Sequence, residues 1–567
     1  MQRPDVLAAP QPLIWPRTIP RLRLRLSASA VTLGFAFAAY LLLGALLALG
    51  PHSIIGDAWS RVGNAYYVLF SRDPHLAAVG FVWNPLPSLL MLPLLPFGFL
   101  FPPLIHEGLA ANILSAAFMA GAVVQVLGTA KDFSLPTPAR IGVALLFALH
   151  PLIVHYGANG MSEAAFVFFL VLVARHLARW TTDRSLSALV RVGIYLALAY
   201  LTRYEAAIAA AGVAIVVAGI TWSATAGAAR ARATTAVADL LIVMTPFVVC
   251  FAGWAAASWL ITGSPFEQFS SAYGIASQVG WAGSAGAGSP VSSSSATAFA
   301  LAQMTGLAPL LLPVIIISAA CMVILRDPRA LAILVPMGAI LVFEVWAYET
   351  GRTAGWLRYY IVSAPLLVML VTATMSALLG RARGLRAVRR GRRGVTHEAQ
   401  EAAIGFGFTV IVVVGLLTLS TSIPAAAATM MSTRLGTGES AQLAFLTSKA
   451  EYTGGQAYLA GGRTARYLDG LQLDNGRVLI DAALGFPIVL QSDRPRQFII
   501  TSDRDFTRAL ADPAAFGVRY IVVPKNSGYA TLDALNRAYP MLYADGAGFG
   551  PLAFDSDLWR VYQVDAR

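Results

Sequence analysis

Apolar runs of about twenty residues recur from residue 28 to residue 423, and they limit the fold more than any other feature of the sequence. A helix of that length crosses a hydrocarbon core roughly 30 Å thick. Because lipid offers no partner to a free backbone N–H or C=O, such runs cross the membrane as helices. Only 12% of the residues are charged, about half the fraction of a soluble domain. We therefore predict a mainly α, polytopic transmembrane helical bundle.

We predict about eleven spans from these runs. They cover residues 27–50, 108–129, 141–157, 162–179, 187–201, 205–222, 238–261, 298–324, 330–348, 361–380 and 402–423.

Clusters of arginine lie between the apolar runs and set the predicted orientation. Residues 17–25 hold four arginines and residues 381–393 hold seven. Basic loops stay on the cytoplasmic side of a bacterial membrane, so we expect residues 1–26 to be a cytoplasmic N-terminus. The composition, rich in arginine and alanine with few lysines, is typical of a bacterium. We predict a multi-pass protein of the cytoplasmic (inner) membrane.

The apolar stretch at residues 85–103 is predicted not to cross. It contains six prolines, too many for a regular spanning helix. If it crossed, most of the later basic loops would lie outside. We therefore read residues 51–107 as one external loop inside a transmembrane module at residues 27–423.

Residues 424–567 have an ordinary soluble composition and are predicted to form a small external α/β domain. Strand signals separated by helix-like pieces occur at residues 477–482, 487–492, 496–501 and 518–524. This part contains no nucleotide-binding loop, nucleophile elbow or zinc pattern, so we assign it no catalysis of its own.

The net charge of +12 does not predict a nucleic-acid partner, because the arginines follow the membrane topology and no basic patch alternates with stacking aromatics. The two cysteines, Cys250 and Cys321, lie inside apolar runs. They provide neither a disulfide framework nor a metal site.

Ionisable side chains at a membrane edge are costly and mark candidate functional positions. Asp57 follows the first span, and a solvated helix end is its simpler explanation. Glu163 starts a span on the same side, where a carboxylate also suits the helix dipole. Arg203 and Glu205 lie in one hairpin and are able to pair with each other.

Two further arginines, Arg358 and the weaker candidate Arg352, precede a span on the predicted outer side. A guanidinium there suits a lipid phosphate, although interfacial snorkelling also explains it. The external loop and the start of the later span contribute more candidates for substrate binding. They are Arg61, Asp73, His75, Trp83, Asn84 and Tyr359.

Several motifs together resemble the C-type glycosyltransferases (GT-C), in particular the bacterial group related to protein mannosyltransferases and aminoarabinose transferases. They are Asp57 after the first span, the WNPLP turn at residues 83–87, the P-x-x-x-x-Y and S-E motifs at residues 151–163, LTRYE at residues 201–205 and RYY at residues 358–360. The resemblance extends over roughly residues 28–380.

The resemblance implies transfer of a sugar from a polyprenyl-phosphate donor to a hydroxyl or amine of a lipid, glycan or protein acceptor. Asp57 matches the position of the family's general base. Arg358, and less closely Arg203, match the arginines that hold the lipid phosphate. Ala58 replaces the second of the usual adjacent acids, so the second carboxylate stays open between Asp73, Glu163 and Glu205. No cofactor is implied, and a divalent metal is possible but not indicated.

Two other functions stay open. A transporter or flippase of a lipid-linked saccharide would show inverted repeats and interrupted helices with polar groups at the membrane midplane, whereas the polar groups here concentrate outside. An O-antigen-type polymerase or ligase would use a large external loop between late spans. The loop near residues 263–297 is poor in arginine and histidine.

Overall fold

The computed structural model describes residues 27–284, 293–390, 397–444 and 453–565. The predicted cytoplasmic segment 1–26 lies outside these ranges. Within them, eight helices are long and apolar enough to cross a membrane, or up to ten spans if two bent helix pairs are each counted once. The eight are Ala28–Leu49, Leu109–Asp132, Glu163–Asp183, Ala206–Ala224, Ala229–Thr262, Arg329–Glu349, Leu357–Arg383 and Gly405–Met431.

The two bent pairs are Thr137–Ala148 with Pro151–Ala158, bent by 62°, and Ala296–Leu307 with Leu311–Leu325, bent by 78°. A proline at or next to each break removes a backbone donor and favours the bend. Leu186–Thr202, a shorter apolar helix, accounts for the remaining predicted run. The predicted mainly α bundle is confirmed, and each predicted span falls on one of these helices or pairs.

Two helices form the centre of the bundle. In the most apolar 18-residue stretch of each helix, 83% of the residues are buried in Glu163–Asp183 and 89% in Leu357–Arg383. The corresponding fractions are only 17% in Ala28–Leu49 and 11% in Ala229–Thr262. A helix that is apolar on all sides and fully packed lies inside a bundle, and a sparsely covered one faces lipid. Glu163 and Arg358, each at the start of a central helix, therefore lie where peripheral helices surround them.

Short helices connect the first span to the second. An amphipathic helix, Gly56–Phe70, is followed by 3-10 and α-helical turns, none of which is long enough to cross a membrane. They are Leu76–Val79, Leu86–Met91, Leu95–Phe99 and Pro103–His106. Phe97, Phe99 and Leu100 are exposed, as expected of a segment that rests against lipid.

Two short helices, Glu267–Ser270 and Ile275–Ser284, follow the long span Ala229–Thr262. The last helices of the bundle, with their bounds by hydrogen bonding, are Ser363–Arg390, His397–Ser420 and Ser422–Met431, preceded by the 3-10 turn Leu357–Tyr360.

The C-terminal unit, residues 453–565, is built on a five-stranded mixed sheet. Its strands are β1 (Val478–Ile480), β2 (Phe498–Ile499), β3 (Tyr520–Pro524), β4 (Leu552–Asp555) and β5 (Trp559–Gln563). The order is β2-β1-β3-β5-β4, with β1 parallel to both β2 and β3 and with β5 antiparallel to β3 and β4.

Helices surround this sheet and connect it to the bundle. They are Thr437–Gln442, Thr453–Gly470, Ala482–Leu490, Phe506–Ala511, Ala534–Ala538 and Leu542–Asp545, with 3-10 turns at Pro495–Gln497, Gly528–Leu532 and Gly546–Gly548. The predicted small α/β part is confirmed.

One predicted strand is wrong. Residues 487–492 lie largely in the helix Ala482–Leu490, whose first turn is capped by Asp481 Oδ1 accepting from the backbone N–H of Ala483 at 2.8 Å. The run is buried along most of its length, and such a run shows neither a helical nor a strand period. The strands β4 and β5 were not predicted.

Candidate active site

The amphipathic helix Gly56–Phe70 brings the first polar groups to the site. Asp57 lies in its first turn and Arg61 follows one turn later, which places both side chains on the same face of the helix. The Arg61 Nη1 donates to the backbone carbonyl of Asp57 at 3.0 Å. The guanidinium of Arg61 lies 4.6 Å from the centre of the Trp83 ring, so the turn after the helix packs against its charged face.

Asp57 forms an ion pair with Arg358. Arg358 Nη1 donates to Asp57 Oδ2 at 2.8 Å, and 32% of the Asp57 side chain stays exposed. Arg358 comes from the 3-10 turn Leu357–Tyr360 and lies over the Trp356 ring, 4.2 Å from its centre. The pair joins residues that are 301 positions apart in the chain.

Arg203 is held between two buried carboxylates. Its Nη1 donates to Glu163 Oε1 at 2.6 Å, and its Nη2 donates to Glu205 Oε1 at 2.5 Å. The Glu163 side chain is fully buried, and its Oε1 also lies 3.8 Å from Arg358 Nε. The five groups therefore form a continuous row in which acids and arginines alternate, from Asp57 to Glu205.

A cavity lies beside this row, and the space between its walls, including the part open to solvent, is about 580 Å³. Eight of the predicted binding or catalytic residues line it, and the rest of its wall consists of residues that were not predicted as site residues. The predicted residues in the lining are Asp57, Arg61, Trp83, Asn84, Arg203, Glu205, Arg358 and Tyr359. Asn84 also donates from Nδ2 to the Tyr200 carbonyl, which fixes the WNPLP turn against the helix Leu186–Thr202.

A second, almost wholly apolar groove adjoins this cavity, and the space between its walls, including the part open to solvent, is about 670 Å³. The two share three lining residues, Tyr204, Glu205 and Gln268. Aromatic and aliphatic side chains make up the rest of the groove, namely Tyr200, Ala207, Ile208, Phe251, Phe266, Phe269 and Phe343. The polar cavity and the apolar groove therefore lie side by side, with these three residues forming part of the wall of each.

The charge state of Asp57 follows from its neighbours. Burial raises the pKa of the Asp57 carboxyl, but the guanidinium groups of Arg358 and Arg61 outweigh burial and hold that pKa below its ordinary value. The carboxyl is consequently ionised near neutral pH. An ionised and partly exposed carboxylate is able to accept a proton from a group that enters the cavity.

Three predicted residues lie away from the cavity, and one lies behind its wall. Arg352 is exposed and stacks on Trp346 at 5.2 Å from the ring centre. Asp73 pairs with Arg504 of the C-terminal unit at 3.3 Å, and His75 Nδ1 lies 2.7 Å from the Asp73 carbonyl. Glu163 contacts the two arginines from behind and has no exposed surface.

The cavity wall opposite the row of acids and arginines was not predicted from the sequence. Gln268, Ile275 and Gln278 come from the short helices after Ala229–Thr262, and they carry no charge that would have drawn notice. An amide at a helix end has no sequence pattern that separates it from an ordinary loop residue. The aromatic residues Tyr204 and Trp356 adjoin predicted arginines, and that adjacency was the one available signal.

The C-terminal unit contacts the same wall. Tyr529 forms a side-chain hydrogen bond with Gln278, and burial together with the nearby charge of Asp57 raises the pKa of Tyr529. Tyr273 donates its hydroxyl to Asp481 Oδ2 at 2.6 Å. Within the described ranges, no group of three or more His, Cys, Asp or Glu residues is placed to hold a metal ion.

Comparison with solved structures gives a match over nearly the whole chain. The crystal structure of ArnT from Cupriavidus metallidurans bound to undecaprenyl phosphate aligns with a TM-score of 0.50 and 14% sequence identity, covering 95% of this chain and 98% of ArnT. The chain has the GT-C fold. The structural part of the resemblance is therefore confirmed.

Two further structures are similar at lower scores. ArnT of the same organism in the apo state gives a TM-score of 0.48 at 15% identity, over 94% of this chain and 98% of that one. The oligosaccharyltransferase AglB from Archaeoglobus fulgidus gives 0.38 at 13% identity, over 90% of this chain and 72% of that one. No protein-family model and no curated sequence matches the chain.

Proposed function

We propose that this chain is a membrane glycosyltransferase that moves a sugar from a polyprenyl-phosphate donor to a hydroxyl or amine of an acceptor. The observation that carries the proposal is a charged cavity that shares three of its wall residues with an adjacent apolar groove. A lipid-linked sugar needs both environments, a polar chamber for sugar and phosphate and an oily path for the isoprenoid. The ArnT structure with the same fold holds undecaprenyl phosphate, which is a ligand of this class.

Asp57 acts as the general base in the proposed reaction. It takes the proton of the acceptor hydroxyl or amine while the acceptor atom forms a bond to the anomeric carbon. The bond between that carbon and the phosphate oxygen breaks, and the polyprenyl phosphate leaves with the electron pair. Attack from the side opposite the phosphate inverts the anomeric centre.

Arg358 and Arg203 bind the phosphate and balance the charge that develops on it as it leaves. Glu163 is a positioning residue, since it contacts both arginines and does not face the cavity. A phosphate that engages Arg358 also weakens the Arg358–Asp57 pair. The pKa of Asp57 then rises from its depressed value, so the bound donor makes Asp57 a stronger base.

The other predicted binding residues divide by position. Arg61, Trp83, Asn84, Glu205 and Tyr359 line the cavity, and we propose that they contact the sugar or the acceptor. Asp73, His75 and Arg352 do not line it and are given no role in binding. The lipid, glycan or protein nature of the acceptor stays open.

The proposed location is the cytoplasmic membrane, with the cavity and residues 424–567 on its outer face and residues 1–26 in the cytoplasm. A labelling pair tests this orientation in a background without Cys250 and Cys321. Asp557, with 92% of its side chain exposed, and Lys131, exposed at the end of a span, are replaced by cysteine one at a time. We expect an impermeant thiol reagent on intact cells to label the first and spare the second; the reverse pattern inverts the topology.

Reconstituted protein tests the reaction itself. Proteoliposomes are given undecaprenyl-phosphate-linked sugars and an extract of cell-envelope lipids, glycans and proteins, and the release of undecaprenyl phosphate is followed together with labelling of the extract. Sugar transfer that depends on the protein is expected. Absence of both binding and transfer across the donors would reject the glycosyltransferase proposal.

A transporter of a lipid-linked saccharide is the second candidate, favoured by the two bent spans. Their breaks meet where His150 Nε2 lies 3.1 Å from the Leu307 carbonyl, and broken helices are typical of transporters. The charged cavity, however, is lined by other elements. Movement of an intact glycolipid between leaflets, with no change in its glycosidic bond, would support the transporter.

A further inference from the structure

One buried amide in the cavity wall has an unused acceptor. Gln268 lies on the short helix Glu267–Ser270 and is only 5% exposed. Its Oε1 is buried and has no hydrogen-bond partner within the described ranges. A buried acceptor without a donor is destabilising, and native proteins seldom keep one unless a ligand or a water completes it.

The position of Gln268 limits which kind of group is able to donate a hydrogen bond to its Oε1. Gln268 lines both the charged cavity and the apolar groove, as do Tyr204 and Glu205. Glu205 uses Oε1 to bind Arg203, whereas its Oε2 is buried and has no hydrogen-bond partner in the described part of the chain. Two unused acceptors therefore belong to residues at the same boundary.

An acceptor oxygen requires a group that carries a hydrogen. An ionised phosphate has only acceptor oxygens, and an isoprenoid chain has neither donor nor acceptor. The ring hydroxyls of the sugar that is joined to the phosphate are donors, and those next to the anomeric carbon lie closest to the boundary when the lipid occupies the groove. The pair of unused acceptors thus suits a hydroxylated sugar and neither of the other two parts of the donor.

We propose that Gln268 is a specificity-determining residue whose Oε1 accepts a hydrogen bond from a hydroxyl of the donor sugar beside the lipid phosphate. This inference rests on the proposed glycosyltransferase function, and it identifies a residue that distinguishes one donor sugar from another. Replacing the acceptor is expected to weaken binding of the sugar and to leave binding of the lipid phosphate as it was.

Equilibrium binding to the full-length protein in detergent tests the proposal with defined probes. They are undecaprenyl phosphate and its glucose, mannose, galactose and arabinose conjugates, and the tightest conjugate is also compared with its 2-deoxy analogue. The wild type should prefer that conjugate over undecaprenyl phosphate. In Gln268→Met the preference should fall about three- to tenfold, the size of one hydrogen bond, with undecaprenyl phosphate affinity unchanged within about twofold.

Two control variants test whether a loss of sugar preference in Gln268→Met is specific to the acceptor oxygen at this position. Gln303 is another buried glutamine whose Oε1 also has no hydrogen-bond partner in the described ranges, but it lines neither the cavity nor the groove. Its Nε2 donates to the carbonyls of Gly355 and Leu435. Gln303→Met should leave the sugar preference unchanged even if the protein becomes less stable. Gln268→Glu keeps an acceptor oxygen and adds a negative charge, so it should retain the preference while it weakens binding of every phosphate-containing probe.

The outcomes separate this inference from the function on which it rests. An unchanged preference in Gln268→Met, or a wild type that binds no conjugate more tightly than undecaprenyl phosphate, overturns the role of Gln268 and leaves the lipid-phosphate site standing. Failure of undecaprenyl phosphate and of all conjugates to bind the wild type rejects the proposed function itself.

Discussion

The external stretch that follows the first span carries two groups of charged residues with similar chemistry and different surroundings. At its start, Asp57 and Arg61 face a cavity, and the Asp57 side chain is paired with Arg358 yet 32% exposed. After the helix ends, Arg72 and Asp73 contact the C-terminal unit, where Arg72 pairs with Asp503 and Asp505 and Asp73 pairs with Arg504.

The comparison shows that pairing alone does not distinguish a site from an interface. Both groups make close ion pairs with residues that are distant in the chain. They differ in what they face. The first group faces a cavity that shares wall residues with an apolar groove, and the second group faces the folded C-terminal unit. A carboxylate acts on a substrate only where a substrate has room to reach it.

The largest expected effect separates the two aspartates of this stretch. Asp57→Asn removes the proposed base, and we expect the rate of sugar transfer to fall by about 10²- to 10⁴-fold. Asp73→Asn, the matched change at the interface, should stay within about threefold of the wild type, because an exposed ion pair contributes little. The rate is measured in proteoliposomes with an undecaprenyl-phosphate-linked donor. Equal rates for the two variants would show that Asp57 at the cavity and Asp73 at the interface do not differ in their role in transfer.

A second pair of variants compares two neighbouring arginines. Arg358→Gln removes a half-buried guanidinium from the cavity, and we expect donor affinity to fall by about tenfold or more. Arg352→Gln acts on an exposed residue that stacks on Trp346, and donor affinity should remain within about twofold. Binding of undecaprenyl phosphate is measured directly, so that an effect on the acceptor does not enter. A stronger loss in the Arg352 variant would move the phosphate site away from the cavity.

The pH profile of kcat/KM reports the pKa of Asp57 in the free protein. Transfer requires the carboxylate, and Arg358 and Arg61 lower its pKa against the effect of burial. The acid limb should therefore lie below the ordinary aspartate value of about 3.9. Arg358→Gln removes one of the guanidinium groups that counteract the effect of burial on Asp57. The pKa of Asp57 therefore rises, and the acid limb of the profile should move to higher pH by about one unit or more. An acid limb that stays in place would argue against titration of Asp57.

The smallest expected effect concerns the interface. Burial, opposed by Arg72, raises the pKa of Asp503 to about 6. An acid whose pKa is higher in the folded state binds more protons there than when unfolded, so its contribution to stability falls as the pH rises from about 4 to about 6. Across this window the melting temperature in detergent should fall more, or rise less, in the wild type than in Asp503→Asn. Asp73→Asn serves as the control and should keep the wild-type slope.

Much of the bundle was predictable because lipid imposes one solution on an apolar run. All the predicted spans fall on helices or bent pairs, and the proline-rich residues 85–103 form only short helices. The C-terminal unit was less predictable. A buried run such as residues 487–492 lacks an amphipathic period, and a single cap at Asp481 helps set it as a helix.

The sequence by itself determined the membrane class, the positions of the spans and most of the charged residues at the site, because burying a charge near lipid is costly enough to mark the position. Only the tertiary structure decided which of those charges meet. Arg358 reaches Asp57 across 301 residues, and Glu163 contacts Arg203 and Arg358 with a side chain that has no exposed surface. Gln268 could be identified only from the folded structure, which shows that it lines the cavity and that its Oε1 has no hydrogen-bond partner in the described ranges. The sequence alone does not reveal which uncharged side chains lie in a cavity wall.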